Sequence, residues 1–164
     1  MVTQLAEHFY RQNGWANRTI IDACRSLTDA QLDATTLGTY GSIRDTLLHI
    51  VSSEAGYSIR LGHEPSPRLQ RDAAWPGLDA VAVMASAAAD ALVAASQDPA
   101  NRTLQVGSDT DRFDVEAEVI LVQAFNHSTE HRSQISTILT TLGIEPPELS
   151  GWEWGLAVDR MRRI

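Results

Sequence analysis

The sequence predicts an all-α fold, a four-helix bundle with at least one crossover connection. Three observations predict it. Four segments repeat apolar residues at spacings of three and four, none alternates with the period of two that marks a strand, and the connections differ greatly in length.

The first helix is expected over about Thr3 to Ser26, with Leu5, Phe9, Ala16, Ile20, Ala23 and Leu27 near one face. Thr28 and Gln31 then form a capping box that opens one further short turn. Ser42, with Asp45 three residues on, caps a second helix whose Ile43, Leu47, Ile50, Tyr57 and Leu61 keep helical register up to Gly62. Pro65, Pro67 and Pro76 deny a helix between Gly62 and Gly77 and leave a connection long enough to cross over. The third helix, about Leu78 to Ser96, is alanine-rich, suits close packing, and stops at Asp98-Pro99. After a polar stretch, Asp114 is the expected cap of a fourth helix with Glu116 and Glu118 in its first turn, and Gly143 ends it ahead of Pro146 and Pro147.

One domain spanning residues 1–164 is expected, since 164 residues bury roughly two-thirds of the unfolded chain's surface. No uninterrupted apolar run approaches the roughly 20 residues of a membrane span, and Glu7 and His8 stand where a secretory signal would be apolar. A cytoplasmic protein with no membrane partner is expected. Cys24 is the only cysteine, which excludes an internal disulfide and an all-cysteine metal site; it reads as a small apolar helix residue. A net charge of -8 disfavours nucleic acid, despite the short basic tail of Arg160, Arg162 and Arg163. All 13 basic residues are arginine, so lysine Schiff-base and lysine general-base chemistry are excluded.

The chemically informative feature lies on the fourth helix. Ile120, Ala124, His127, His131, Ile135, Ile138 and Leu142 follow one another at spacings of three and four, which puts both histidines on the core stripe. A buried polar group without a partner costs on the order of 1–3 kcal/mol, and two protonated rings side by side repel. Four helical residues separate the rings by about 6 Å along the axis, close enough to converge on one ion. Zinc and similar divalent ions accept neutral imidazole, and a reactive site has three protein ligands and an open position. His49 is the third candidate, because its face carries Ser42, Asp45, Thr46, Ser53 and Gly56, small or polar enough to border a cavity. A solvated or hydrogen-bonded helix histidine is the plainer reading of each ring, and spacing alone leaves both open. His8 and His63 lack such spacing. Glu130 is a candidate acceptor for His131, although it reads first, like Glu54, as a solvated carboxylate. Trp15 reads first as a packed tryptophan, and Arg44 and Arg132 as solvated arginines.

Four segments together resemble the DinB family: Asn13-Gly-Trp-Ala-Asn-Arg18, Gly41-Ser-Ile-Arg-Asp-Thr-Leu-Leu-His-Ile50, Phe125-Asn-His-Ser-Thr-Glu-His-Arg-Ser-Gln-Ile135 and Leu142-Gly-Ile-Glu-Pro-Pro147. The resemblance implies an up-down-down-up bundle and a divalent metal ion, zinc or nickel, on His49, His127 and His131. It extends to mycothiol-dependent maleylpyruvate isomerase and bacillithiol S-transferases, in which the metal activates a small thiol. The expected function is therefore a metal-dependent thiol S-transferase or hydrolase acting on a small-molecule thiol or other small substrate. Two alternatives are a non-catalytic metalloprotein with a closed site and a metal-free dimeric interaction module. A homodimer is expected from the close-packing third helix and from the resemblance.

Overall fold

The computed structural model describes residues 2–69, 74–97 and 102–162. Helix α1 runs over Val2–Ala23 and closes in a 3-10 turn at Cys24–Ser26. Its inner face is only partly the expected one. Tyr10, Asn13, Asn17, Ile20, Ile21 and Cys24 point inward, while Leu5 and Phe9 are 58% and 49% exposed. The inward positions midway along α1 are taken by asparagines because they face buried polar partners. Cys24 behaves as expected, a buried thiol whose pKa burial pushes up to about 12.

The capping box expected at Thr28 forms, and the cap expected at Ser42 is a capping box too. Thr28 and Gln31 bond reciprocally ahead of α2 (Asp29–Leu32), and Ser42 and Asp45 do so ahead of α3 (Ile43–Arg60). Helix α4 spans Leu78–Gln97; its expected stop at Asp98-Pro99 lies outside the described residues. With a window of mean hydropathy 1.7, α4 is long and apolar enough by length and composition to cross a bilayer, even though no uninterrupted apolar run signals it. It packs here against α1 and α3. Gly14 makes the α1–α4 approach close: a Cβ there would lie 2.7 Å from the Cβ of Ala89.

The all-α expectation needs one correction. Strands β1 (Thr103–Ser108) and β2 (Asp111–Glu116) pair as an antiparallel hairpin, with Leu104 opposite Val115 and Val106 opposite Phe113. Leu104, Val106 and Val115 pack on the core while Gln105 and Asp114 face water. The acidic residues and Gly107 hid this alternation in the sequence. Asp114 is therefore a strand residue, and helix α5 (Ala117–Thr141) starts after Glu116, which makes no side-chain capping bond. Arg102, at the hairpin base, donates to the Leu61 carbonyl at the end of α3. Gly143, at φ +74°, ends α5 as expected, because that backbone region favours glycine. A short helix α6 (Gly151–Ala157), capped by Ser150, packs on α1 and was not expected.

The long helices touch in a ring, α1 on α4, α4 on α3, α3 on α5 and α5 on α1. Two apolar clusters fill the interior. One gathers Ile20, Ile43, Leu47, Ile50, Ile135 and Ile138; the other gathers Tyr10, Leu61, Leu92, Ala117, Ile120 and Ala124. Along each of α1, α3 and α5 a buried polar stretch separates the two: Asn13 and Asn17, Glu54, and Ser128 and Arg132. The histidines of interest lie at this level.

Candidate metal centre

His49 sits in the second turn of α3, and His127 and His131 occupy adjacent turns midway along α5. The Nε2 atoms of His49 and His127 are 2.9 Å apart, and the three ring centroids stand 4.4–4.7 Å from one another. One ring nitrogen from each histidine lies within 4.8 Å of the other two. Nitrogen ligands at about 2.0–2.1 Å from a tetrahedral zinc stand about 3.3 Å apart, so the cluster fits an ion after ring shifts of about 1 Å. Two Nε2 atoms this close must share a proton or a cation, because two lone pairs facing each other repel.

Neutral rings are compatible with both. His127 is pushed down to a pKa of about 4, first by burial and then by the neighbouring His131 and His49 rings, so it is neutral near pH 7. Its Nδ1 is buried without a hydrogen-bond partner, which leaves Nε2 facing the site. For His131 the tautomer follows from the neighbours. Gln134 Oε1 lies 3.0 Å from the Tyr40 backbone N and 2.9 Å from His131 Nδ1. The backbone N–H can only donate, so the atom it meets is the amide oxygen; that oxygen can only accept, so His131 Nδ1 carries a proton. In the neutral ring Nε2 then carries the lone pair, the form a metal ligand needs.

Two tyrosines flank the cluster. Tyr40, in the loop before α3, stacks on His49 with centroids 4.0 Å apart and planes 15° apart, and meets His131 edge-on at 5.3 Å. Tyr57, two turns after His49 on α3, stands edge-on to His127 at 5.8 Å. Behind the histidines lies the buried polar layer. Glu54 Oε1 accepts from Asn13 at 2.6 Å, Asn17 at 2.8 Å and Ser128 at 2.6 Å. Arg132 donates to the Asn13 and Asn17 side-chain oxygens at 2.7 and 2.6 Å. Burial lowers the Arg132 pKa to about 10 while the Glu54 carboxylate opposes the shift, so the guanidinium stays charged. Ser128 and Arg132 each follow a candidate ligand directly. The network thus fixes the rotation of α5 that turns His127 and His131 toward His49.

The three histidines singled out from the sequence lie close together, and their surroundings differ from those expected. Glu54 and Arg132, read as solvated, are buried partners; their signal was an acid and a base at positions flanked by core residues, facing an Asn13/Asn17 pair four residues apart. Glu130 is exposed, and the acceptor for His131 is Gln134, three residues on and so on the same helix face. Arg44 is engaged elsewhere, paired with Asp29 and Asp33 at 2.6 Å and placed over the Trp75 ring. Trp15 lines an outer groove with Tyr10 and Arg18, away from the histidines. His8 packs beside Trp154.

The DinB family model matches residues 1–154. The chain belongs to the DinB family. A solved relative agrees in fold: a DinB-like protein from Bacillus cereus superposes with a TM-score of 0.67, covering 85% of this chain and 91% of its own at 15% identity. At that identity the likeness concerns the fold alone. No curated protein matches the sequence. In this DinB chain, three histidines close enough to hold one metal ion meet between α3 and α5.

Proposed function

We propose that this DinB protein is a metal-dependent enzyme, a thiol S-transferase or a hydrolase, in which His49, His127 and His131 hold one divalent ion, zinc or nickel. The observation that carries the reading is the convergence of three ring nitrogens within 4.8 Å, one of them fixed as a bare Nε2 by Gln134. An ion held there would act as a Lewis acid that lowers the pKa of a bound thiol or water. The chain's own contribution is orientation. Gln134 holds the His131 tautomer, the Glu54 network sets the helix rotation, and Tyr40 covers the outer face of His49. Among the described residues, no fourth histidine, cysteine, aspartate or glutamate joins the cluster, which favours an open position over a closed structural site. Cys24 is buried in the core, so the reacting thiol would be an external small molecule.

We also infer the up-down-down-up order of a four-helix bundle. It is supported by the apolar cluster that joins the start of α1 (Tyr10), the ends of α3 and α4 (Leu61, Leu92) and the start of α5 (Ala117, Ile120). The long connection from α3 to α4 then serves as the crossover.

Elemental analysis of protein purified without an affinity tag tests the metal, with about one ion per chain expected. Thermal melts test its seat. A chelator should lower the midpoint of wild type and leave His131→Ala unmoved; an equal shift in both proteins would place the stabilising ion elsewhere.

A further inference from the structure

Beside the histidines, a cavity of about 550 Å³ opens between α3, the start of α5 and the hairpin. Tyr57 is the shared wall, since its ring both lines this cavity and stands edge-on to His127. Ser53 and Gln123 flank it, and Gln123 Nε2 reaches the Tyr57 hydroxyl at 3.5 Å. The floor and far side are apolar, built from Ala55, Ile120 and the hairpin valines Val106 and Val115.

The charge in this cavity runs against the rest of the molecule. The protein carries a net charge of -8, yet among the described residues the cavity lining contains Arg60 and Arg68 and no aspartate or glutamate. Arg60 folds back along its own helix, its Nη1 3.2 Å from the Gly56 carbonyl, and has no acidic partner among the described residues. Gly56 leaves room for this: a Cβ there would sit 3.3 Å from Arg60 Nη1. Among the described residues Arg68 makes one ion pair, to Glu64 at 3.3 Å, in which both side chains are well exposed, so water screens it. Two guanidinium groups thus line a cavity whose other walls are mostly apolar, and a guanidinium pairs readily with a carboxylate.

We propose that this cavity binds a small organic acid, an apolar body seated against Val106 and Val115 with its carboxylate on Arg60 and Arg68 and its other end at Tyr57. The orientation toward the histidines gives the proposed enzyme its substrate class and rests on the metal reading; the binding itself does not. The eleven helical residues from His49 to Arg60 rise about 16 Å, enough for a molecule about 10 Å long to lie between the two ends.

Calorimetric titration with 4-phenylbutyrate and with its neutral analogue 4-phenylbutanol, on metal-loaded and metal-free protein, is the test. The acid should bind about tenfold more tightly than the alcohol in both forms. The Arg60→Gln/Arg68→Gln variant should lose that preference and keep its melting temperature, and Gly56→Leu, which fills the floor beneath Arg60, should weaken both ligands. With cobalt loaded, the acid should also perturb the visible absorption spectrum. If no metal binds but the arginine-dependent preference persists, the proposed enzyme fails and the acid site stands. Equal binding of acid and alcohol, or a preference that survives in the double arginine variant, overturns the proposal; so does a preference that vanishes with the metal, which would mark direct coordination by the carboxylate.

Discussion

Replacing Glu54 by alanine should destabilise the protein by about 3–5 kcal/mol, the cost of breaking a buried charge pair by removing one partner. The structure supplies the terms. Glu54 is fully buried and accepts three hydrogen bonds on Oε1, from Asn13, Asn17 and Ser128. Its removal strands those donors and leaves Arg132, only 4% exposed, without the carboxylate that opposes its desolvation. For a domain of this size each kcal/mol moves the midpoint by about 2–4 °C, so the expected fall is about 6–20 °C. Glu54→Gln should cost less, because the amide oxygen still accepts; the penalty that remains is its NH2 group placed where Oε2 has no partner. Urea unfolding of Glu54→Leu, Arg132→Met and the double variant completes a mutant cycle. The double variant should be more stable than the sum of the single losses, since no unpaired charge remains. Metal affinity should fall in both single variants, because Ser128 and Arg132 neighbour the ligands. A loss under about 1 kcal/mol in Glu54→Ala, or strict additivity in the cycle, would refute the account of this layer as a paired network.

Three further outcomes are expected. Gln134→Leu should weaken metal binding by about 10–100-fold in competition with a chromophoric chelator while Gln134→Glu largely retains it; equal affinity in all three proteins would remove the tautomer argument. Metal-free protein should lose stability on acidification. The folded His127 pKa of about 4 lies below the unfolded value of about 6.5, so the unfolded chain takes up the proton first and stability drains away as pH falls from 6.5 toward 4. The full shift amounts to about 3 kcal/mol, and discounting it by half for the partial exposure of the ring leaves about 1–2 kcal/mol. Melting curves of wild type and His127→Ala at about pH 7.5 and 5 check the sign, and a wild-type midpoint that rises toward acid would contradict it. Finally, the bound ion should be expelled over the same acid range, read by equilibrium dialysis, since protons compete for the ligand nitrogens.

The sequence by itself determined what is local. Helix starts at Ser42 and Thr28 depend on side chains three residues apart, the stop at Gly143 depends on a backbone conformation that glycine favours, and the four-residue spacing of His127 and His131 follows from helical pitch. That His49 lies near the other two was also legible, from the small and polar residues on its helix face and from the recognisable segment that carries it. What only the tertiary structure decided is how polar groups far apart in the chain meet. Glu54 reads as a solvated acid until α1 brings Asn13 and Asn17, and α5 brings Ser128 and Arg132, to the same level of the interior. Tyr40 reads as a loop residue until Gln134 holds its backbone and its ring lies on His49. The hairpin escaped for a related reason: its inward residues, Leu104, Val106 and Val115, acquire a buried face only when the ends of α3 and α4 and the start of α5 are there to cover them. Periodicity reports which residues share a face, and packing alone decides what that face meets.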